Sequence, residues 1–139
     1  MSRFMLPIAA LFIASSVALA ACGGGDSSLP DPGPSSGVTT SVRIVDLSEA
    51  DAIALCDWVA GRFGGYGHGV TCTDGTTLSA RQSRELCVMD YRNASPTCPV
   101  TVAEIEQCTN EGVGPPVCST VPTACFAVLP CIVAAASGG

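Results

Sequence analysis

The chain contains no lysine, and its six basic residues are scattered arginines set against 12 acids, a formal net charge of -6. An acidic balance without a basic patch argues against nucleic-acid partners and against electrostatic attachment to anionic lipid. Histidine is as scarce: His68 is the only one, so a metal site or a base-assisted nucleophile would have to rest on that single imidazole. Aromatics make up 5 % of the chain, which leaves little large apolar surface for a core and calls for another source of stability. No Cys-x-x-Cys pair occurs, which argues against structural zinc and against a thioredoxin-like redox site. No Asp-x-Asp-x-Asp run offers a calcium loop. The Gly-rich stretch GGYGHG, residues 64–69, lacks the Lys-Ser/Thr of a phosphate loop. It also follows a helical pattern, where a phosphate loop would open one, so it reads as a helix terminator and turn.

Arg3 is followed by an apolar run from Phe4 to Ala14 that continues past Ser15 and Ser16 to Ala21. That is the layout of a secretory signal peptide rather than of a retained membrane helix. Its last residues, Leu19-Ala20-Ala21-Cys22, resemble the lipobox of bacterial lipoproteins. The resemblance covers only residues 1–22. It implies cleavage before Cys22, a thioether-linked diacylglycerol on its sulfur, and further acylation (palmitate or similar) of the new amino terminus. Two or three acyl chains anchor stably where one is marginal. Gly23 rather than Asp follows the cysteine. Under the enteric-type sorting rule of that family, this implies an outer-membrane protein facing the periplasm or the surface.

Cysteine number supports the same reading. The chain has 9 cysteines, and assigning Cys22 to the lipid leaves Cys56, Cys72, Cys87, Cys98, Cys108, Cys118, Cys125 and Cys131. An even set behind a secretory signal points to a disulfide framework in an oxidising compartment. Eight cysteines allow 105 connectivities. Only a Cys125–Cys131 bridge is excluded, because six residues along one helix place the two on different faces and too far apart. Each bridge is worth about 2–4 kcal/mol.

After the anchor, residues 22–40 are dominated by Gly, Ser, Pro and Asp and read as a flexible tether spanning roughly 20–25 Å. The folded domain is expected over 41–136, with a frayed tail at 137–139. Helical patterns recur four times within it. The first helix is signalled by Ser48 as N-cap, Glu49 and Asp51 in the first turn, an apolar stripe Ala52, Cys56, Val59, Phe63, and the stop Gly64-Gly65. The second is expected from Ser79, whose spacing to Gln82 is that of a capping box, with Ala80, Ser83, Cys87 and Tyr91 on one face and an Arg81–Glu85 pair outside. The third opens with a Thr101/Glu104 capping box and a Val100–Ile105 staple. The fourth is expected to begin at Pro122 and to stop or kink at Pro130. The tail segment CFAVLPCIVAAA is too short to span a membrane. Only residues 41–47 suggest a strand, which with no partner reads as an extended lead-in. The fold class is therefore all-α: a small bundle of about four short helices stapled by up to four disulfides.

Candidate chemistry is thin. Asp57, Asp74, Asp90, Glu104 and Glu106 are the acidic candidates. Asp74-Gly75 reads as a turn, Glu104 and Glu106 as helix-start charges, and no carboxylate pair of glycosidase type can be located. His68 reads as an exposed loop residue. No catalytic residue, metal or cofactor is expected. Cys56-Asp57-Trp58, the Gly-rich turn, Cys72-x-Asp-Gly and CPVTVAEIEQC together resemble small cysteine-rich lipoproteins of myxobacteria, over most of residues 46–131. That family implies no particular activity. The leading expectation is a non-enzymatic envelope module, held to the membrane by its lipid, that binds or organises an envelope protein or ligand. The alternatives are an envelope hydrolase with a cryptic carboxylate site and a metal- or redox-active cysteine protein.

Overall fold

The computed structural model describes residues 31–114 and 117–136. The expected signal peptide, the expected lipidation site Cys22 and the expected frayed tail at 137–139 lie outside them. The elements are a 3-10 turn at Ile44–Asp46, helix α1 (Glu49–Arg62), strands β1 (Gly69–Thr71) and β2 (Thr77–Ser79), and helices α2 (Arg84–Asn93), α3 (Val102–Val113) and α4 (Cys125–Ala136). The fold is mostly helical but not purely all-α, because β1 and β2 form an antiparallel hairpin with Gly69 opposite Ser79 and Thr71 opposite Thr77.

Local signals placed two helix starts. Ser48 accepts a hydrogen bond from the Asp51 amide at the head of α1. At α3 the Thr101 amide donates to the Glu104 carboxylate at 2.7 Å, and Val102 and Ala103 donate to the carbonyls of Val42 and Thr40. These contacts satisfy amides that a helix start leaves unpaired. Segment 41–47 lends its backbone to α3, and its only strand-like contact is the Arg43–Thr101 bridge.

The second helix starts later than expected. Ser79 pairs with Gly69 as the end of β2, and Ser83 is the N-cap of α2, accepting from the Leu86 amide. The Ser79/Gln82 spacing is thus coincidental. Arg81 lies ahead of the helix and pairs with Asp90 rather than Glu85. At α4, Pro122 precedes the helix and its carbonyl accepts from the Cys125 amide. Pro130 lies inside α4 without ending it. Buried Cys125 and Val128 before the proline, and the bond from Cys131 to Cys98 after it, hold both sides against a proline cost of about 3 kcal/mol.

Four disulfides join the eight cysteines: Cys56–Cys87, Cys72–Cys118, Cys98–Cys131 and Cys108–Cys125. Three tie helices to each other or to the α2–α3 loop, and the second ties the hairpin to the segment before α4. The core gathers Ile44, Leu55, Cys56, Trp58, Tyr91, Val100, Val102 and Ile105. Val100 and Ile105, the expected staple pair, are both buried there.

Residues 31–38 were expected within a flexible tether, yet they pack against α1 and α3 as a strap. Arg62 Nη1 sits 2.6 Å from both Asp31 oxygens. The Trp58 indole donates to the Gly33 carbonyl at 2.9 Å, Asn110 donates to the Pro34 carbonyl at 2.8 Å, and the Ser36 amide donates to Glu106 at 2.6 Å. Val38 is buried. The ordered unit therefore begins by Asp31, upstream of the expected boundary at Ser41.

Candidate functional site

The hairpin, expected nowhere in the helical pattern, builds one wall of a cavity against the helices. β1 and β2 close around Asp74-Gly75, where Gly75 has φ +88° and the Asp74 carboxylate accepts from the Thr76 amide and hydroxyl. These bonds hold the Asp74 carboxyl below the usual carboxylate value. Leu78 of β2 then faces the helices. Together with Val59 and Phe63 of α1, Ile105 of α3 and Val128 and Leu129 of α4, it lines a cavity of about 260 Å³. Ala80, Arg81, Asp90, Tyr91 and Thr109 complete the lining that bears on its chemistry.

Two polar features stand at this cavity. The first is the Arg81–Asp90 pair, in which both Asp90 oxygens accept from the guanidinium, Oδ1 at 2.8 Å. Asp90 is 5 % exposed and Arg81 is 41 % exposed, so the arginine covers the carboxylate from the solvent side. The carboxylate in turn holds the Arg81 guanidinium above its usual value. The second is Tyr91, whose phenol is pushed well up by burial and by the charges of Asp90 and Tyr66. It therefore stays a neutral hydroxyl across the physiological range.

The other acidic candidates are spread out, and each serves a structural contact. Asp57 accepts two hydrogen bonds from Arg84, both at 2.8 Å, and one from the Tyr66 hydroxyl at 2.7 Å. This network joins α1, the turn after it and the head of α2. Burial and the Asp57 contact push the Tyr66 phenol up to about 12. Glu104 belongs to the α3 cap, and Glu106, expected as a helix-start charge, instead holds the strap. His68 is exposed in the turn before β1, and its carbonyl accepts from the Ala80 amide.

A second hollow between α1 and α2 contains Glu49 and Glu85 beside Arg84 and Arg92. The Glu85 carboxyl is held below its usual value, chiefly by hydrogen bonds to its own amide and to Ser83. A carboxyl held that way is a poor general acid at neutral pH. Among the described residues the cavity contains one carboxylate, Asp90, committed to Arg81. Among the described residues no group of three or more His, Cys, Asp and Glu side chains is placed to hold a metal ion. The eight cysteines in the described residues are all oxidised, so none supplies a thiolate.

Asp90 was visible in the sequence as an acid, but Arg81 was assigned a different partner and Tyr91 only a helix face. The signal that could have found the cavity was the Asp74-Gly75 turn with Thr71, Thr76 and Thr77 around it, a hairpin signature that places Leu78 opposite Val70. Comparison with known protein families, with curated proteins and with solved structures finds no match to this chain.

Proposed function

We propose that the chain is a non-enzymatic lipoprotein of a bacterial cell envelope, anchored through Cys22 and presenting a rigid disulfide-bonded module that binds or organises other envelope components. One observation carries this reading. Eight cysteines close four bridges among themselves, so Cys22 is the one cysteine without a structural partner in that set. An oxidised framework of this density belongs outside the reducing cytoplasm, where a lipobox cysteine is used. No helix among the described residues is long and apolar enough to cross a membrane, so in this reading the lipid provides the attachment. The binding part of the reading is supported by exposed apolar side chains on two helices, Leu86 and Met89 on α2 and Phe126 and Leu129 on α4.

The ordered strap shortens the tether. In this reading only residues 23–30 separate the lipidated cysteine from the packed strap at Asp31, a span of at most about 30 Å when fully extended. The module thus works close to the membrane surface.

The test is the intact mass of the detergent-extracted native protein, alkylated without prior reduction. A chain beginning at Cys22, carrying acyl mass and no alkylated cysteine, is expected. A mass without lipid, or with several alkylated cysteines, refutes the anchor and the closed framework respectively. Cys22→Ala is expected to leave the precursor uncleaved and unlipidated. Catalytic turnover by the purified protein that disappears on changing Asp57 or His68 would replace the binding reading with an enzymatic one.

A further inference from the structure

We propose that the cavity between the hairpin and the helices is a binding site for a small uncharged amphiphile: an apolar body of about ten non-hydrogen atoms bearing one hydroxyl or carbonyl group. This deepens the binding part of the function proposed above and rests on it, not on the lipid anchor.

Size sets the body of the ligand. The cavity measures about 260 Å³, whereas an apolar cavity of about 150 Å³ already accepts benzene. A bicyclic ring or a chain of similar bulk therefore fits. The walls are apolar and come from every side: Leu78 from the hairpin, Val59 from α1, Ile105 from α3, and Val128 and Leu129 from α4.

Charge sets the class. The only ion pair at the cavity neutralises itself, since both Asp90 oxygens are taken by Arg81. An anionic ligand competing for the Nε and Nη2 that hold Asp90 would leave a buried carboxylate unpaired, and at the remaining Nη1 it would lie beside that carboxylate's negative charge; both are costly. A cationic ligand would have to displace Arg81. The chain's net charge of -6 opposes an anion further.

Hydrogen bonding sets the polar end. Tyr91 lines the cavity and is only 4 % exposed as a residue; its hydroxyl donates to no described residue, and its oxygen is not one of the closed-off buried atoms, so it keeps open space beside it. A phenol hydroxyl with open space beside it is free to donate to a ligand. A ligand hydroxyl or carbonyl would accept from it. Thr109, also buried at the cavity, offers a second hydroxyl.

The test is calorimetric titration of the chain from residue 22 onward with Cys22→Ser, which needs no detergent and keeps every residue of the ordered fold. The probes are 1-naphthol and its anionic analogue 1-naphthoate. Saturable one-to-one binding of 1-naphthol is expected, with 1-naphthoate at least about tenfold weaker. Tyr91→Phe should weaken 1-naphthol about fivefold, the worth of one ordinary hydrogen bond. Leu129→Trp, which adds bulk at the partly exposed rim, should weaken it more while unfolding at a similar temperature. No saturable binding of 1-naphthol overturns the site. Equal affinity for the two probes, or a Tyr91→Phe variant that binds 1-naphthol as tightly as the parent, overturns the ligand class. The intact-mass measurement does not depend on this titration, so loss of the anchor reading and loss of this site are separately visible.

Discussion

The helical body and the hairpin are held together by the same kind of bond but for different reasons. In the body, Cys56 and Cys87 meet in the middle of a core that also buries Leu55, Trp58, Val100 and Val102, so the bridge adds to packing that already favours the fold. The hairpin has strands of three residues each, and only the middle residues Val70 and Leu78 are partly covered. A hairpin of that size is marginal alone. It is held by Cys72–Cys118, by backbone bonds from Thr73 and Asp74 to the carbonyls of Cys118 and Ser119, and by Arg81 reaching Asp90. We expect the body to keep its shape without one staple and the hairpin to depend on its own, and the hairpin lines the cavity.

The largest test of that contrast is to remove each bridge in turn. Cys56→Ala with Cys87→Ala should cost about 3–4 kcal/mol in urea unfolding, with the whole helical signal moving together. Chain entropy alone predicts nearly the same cost for Cys72→Ala with Cys118→Ala, because those bridges close spans of 31 and 46 residues. We expect the second pair of changes to act locally instead: amide exchange at 69–79 should rise sharply, while the helical midpoint falls by less than half as much. An equal fall in both midpoints would show that hairpin and body unfold as one unit.

Arg81→Ala sharpens the comparison from the other side. It leaves Asp90 buried without its partner, and we expect a loss of about 1–3 kcal/mol. Exchange at 77–79 should rise with it, because Arg81 follows directly on β2. Asp90→Asn, which removes the charge but keeps a hydrogen-bonding group, should cost less, and stability of the two variants by urea titration checks the order. A smaller effect, about 1 kcal/mol, is expected for Ser48→Ala at the head of α1, without any change in hairpin exchange.

The strap provides the smallest effect. The Arg62 guanidinium and the Gly33 amide hold the Asp31 carboxyl below its ordinary value of 3.8. A depressed carboxyl contributes stability that is fully present above its unfolded value and is lost as pH falls through its folded one. Acid below about pH 4 should therefore loosen the strap before the disulfide-bonded body opens. Trp58 fluorescence reports this, because its indole is bonded to Gly33. Asp31→Asn should reproduce the loosened emission at neutral pH, and an unchanged spectrum would mean that Glu106 and Asn110 hold the strap without it.

Much of the architecture was legible wherever the deciding atoms lie within one helical turn. Ser48 and the Thr101/Glu104 box were readable for that reason, as was the Gly64-Gly65 stop, where Gly64 has φ +90°. The same local reading misplaced the second helix, because Ser79 satisfies the spacing rule while its backbone pairs with Gly69. The strands were missed because three residues with a single partly covered position are too short to show an alternating pattern in the sequence. The strap was missed because its composition is that of a linker, and its partners Trp58, Arg62, Glu106 and Asn110 are 25 to 76 residues away. The carboxylates were all visible, and Asp74 and Glu104 showed their local roles, but those of Asp57 and Asp90 were not legible, since Arg84 and Arg81 choose them across 27 and 9 residues.

The chain alone dictated four helical segments, the caps of two of them and an even set of cysteines behind the lipobox-like Cys22, because these depend on short-range geometry and on counting. Tertiary structure decided which cysteines pair, that residues 31–38 join the domain, that Arg81 serves Asp90, and that Val59, Leu78, Ile105 and Val128 surround one cavity. Those outcomes depend on contacts between residues far apart in sequence. Local propensity carries no record of such contacts; the burial of apolar surface that brings the segments together selects them.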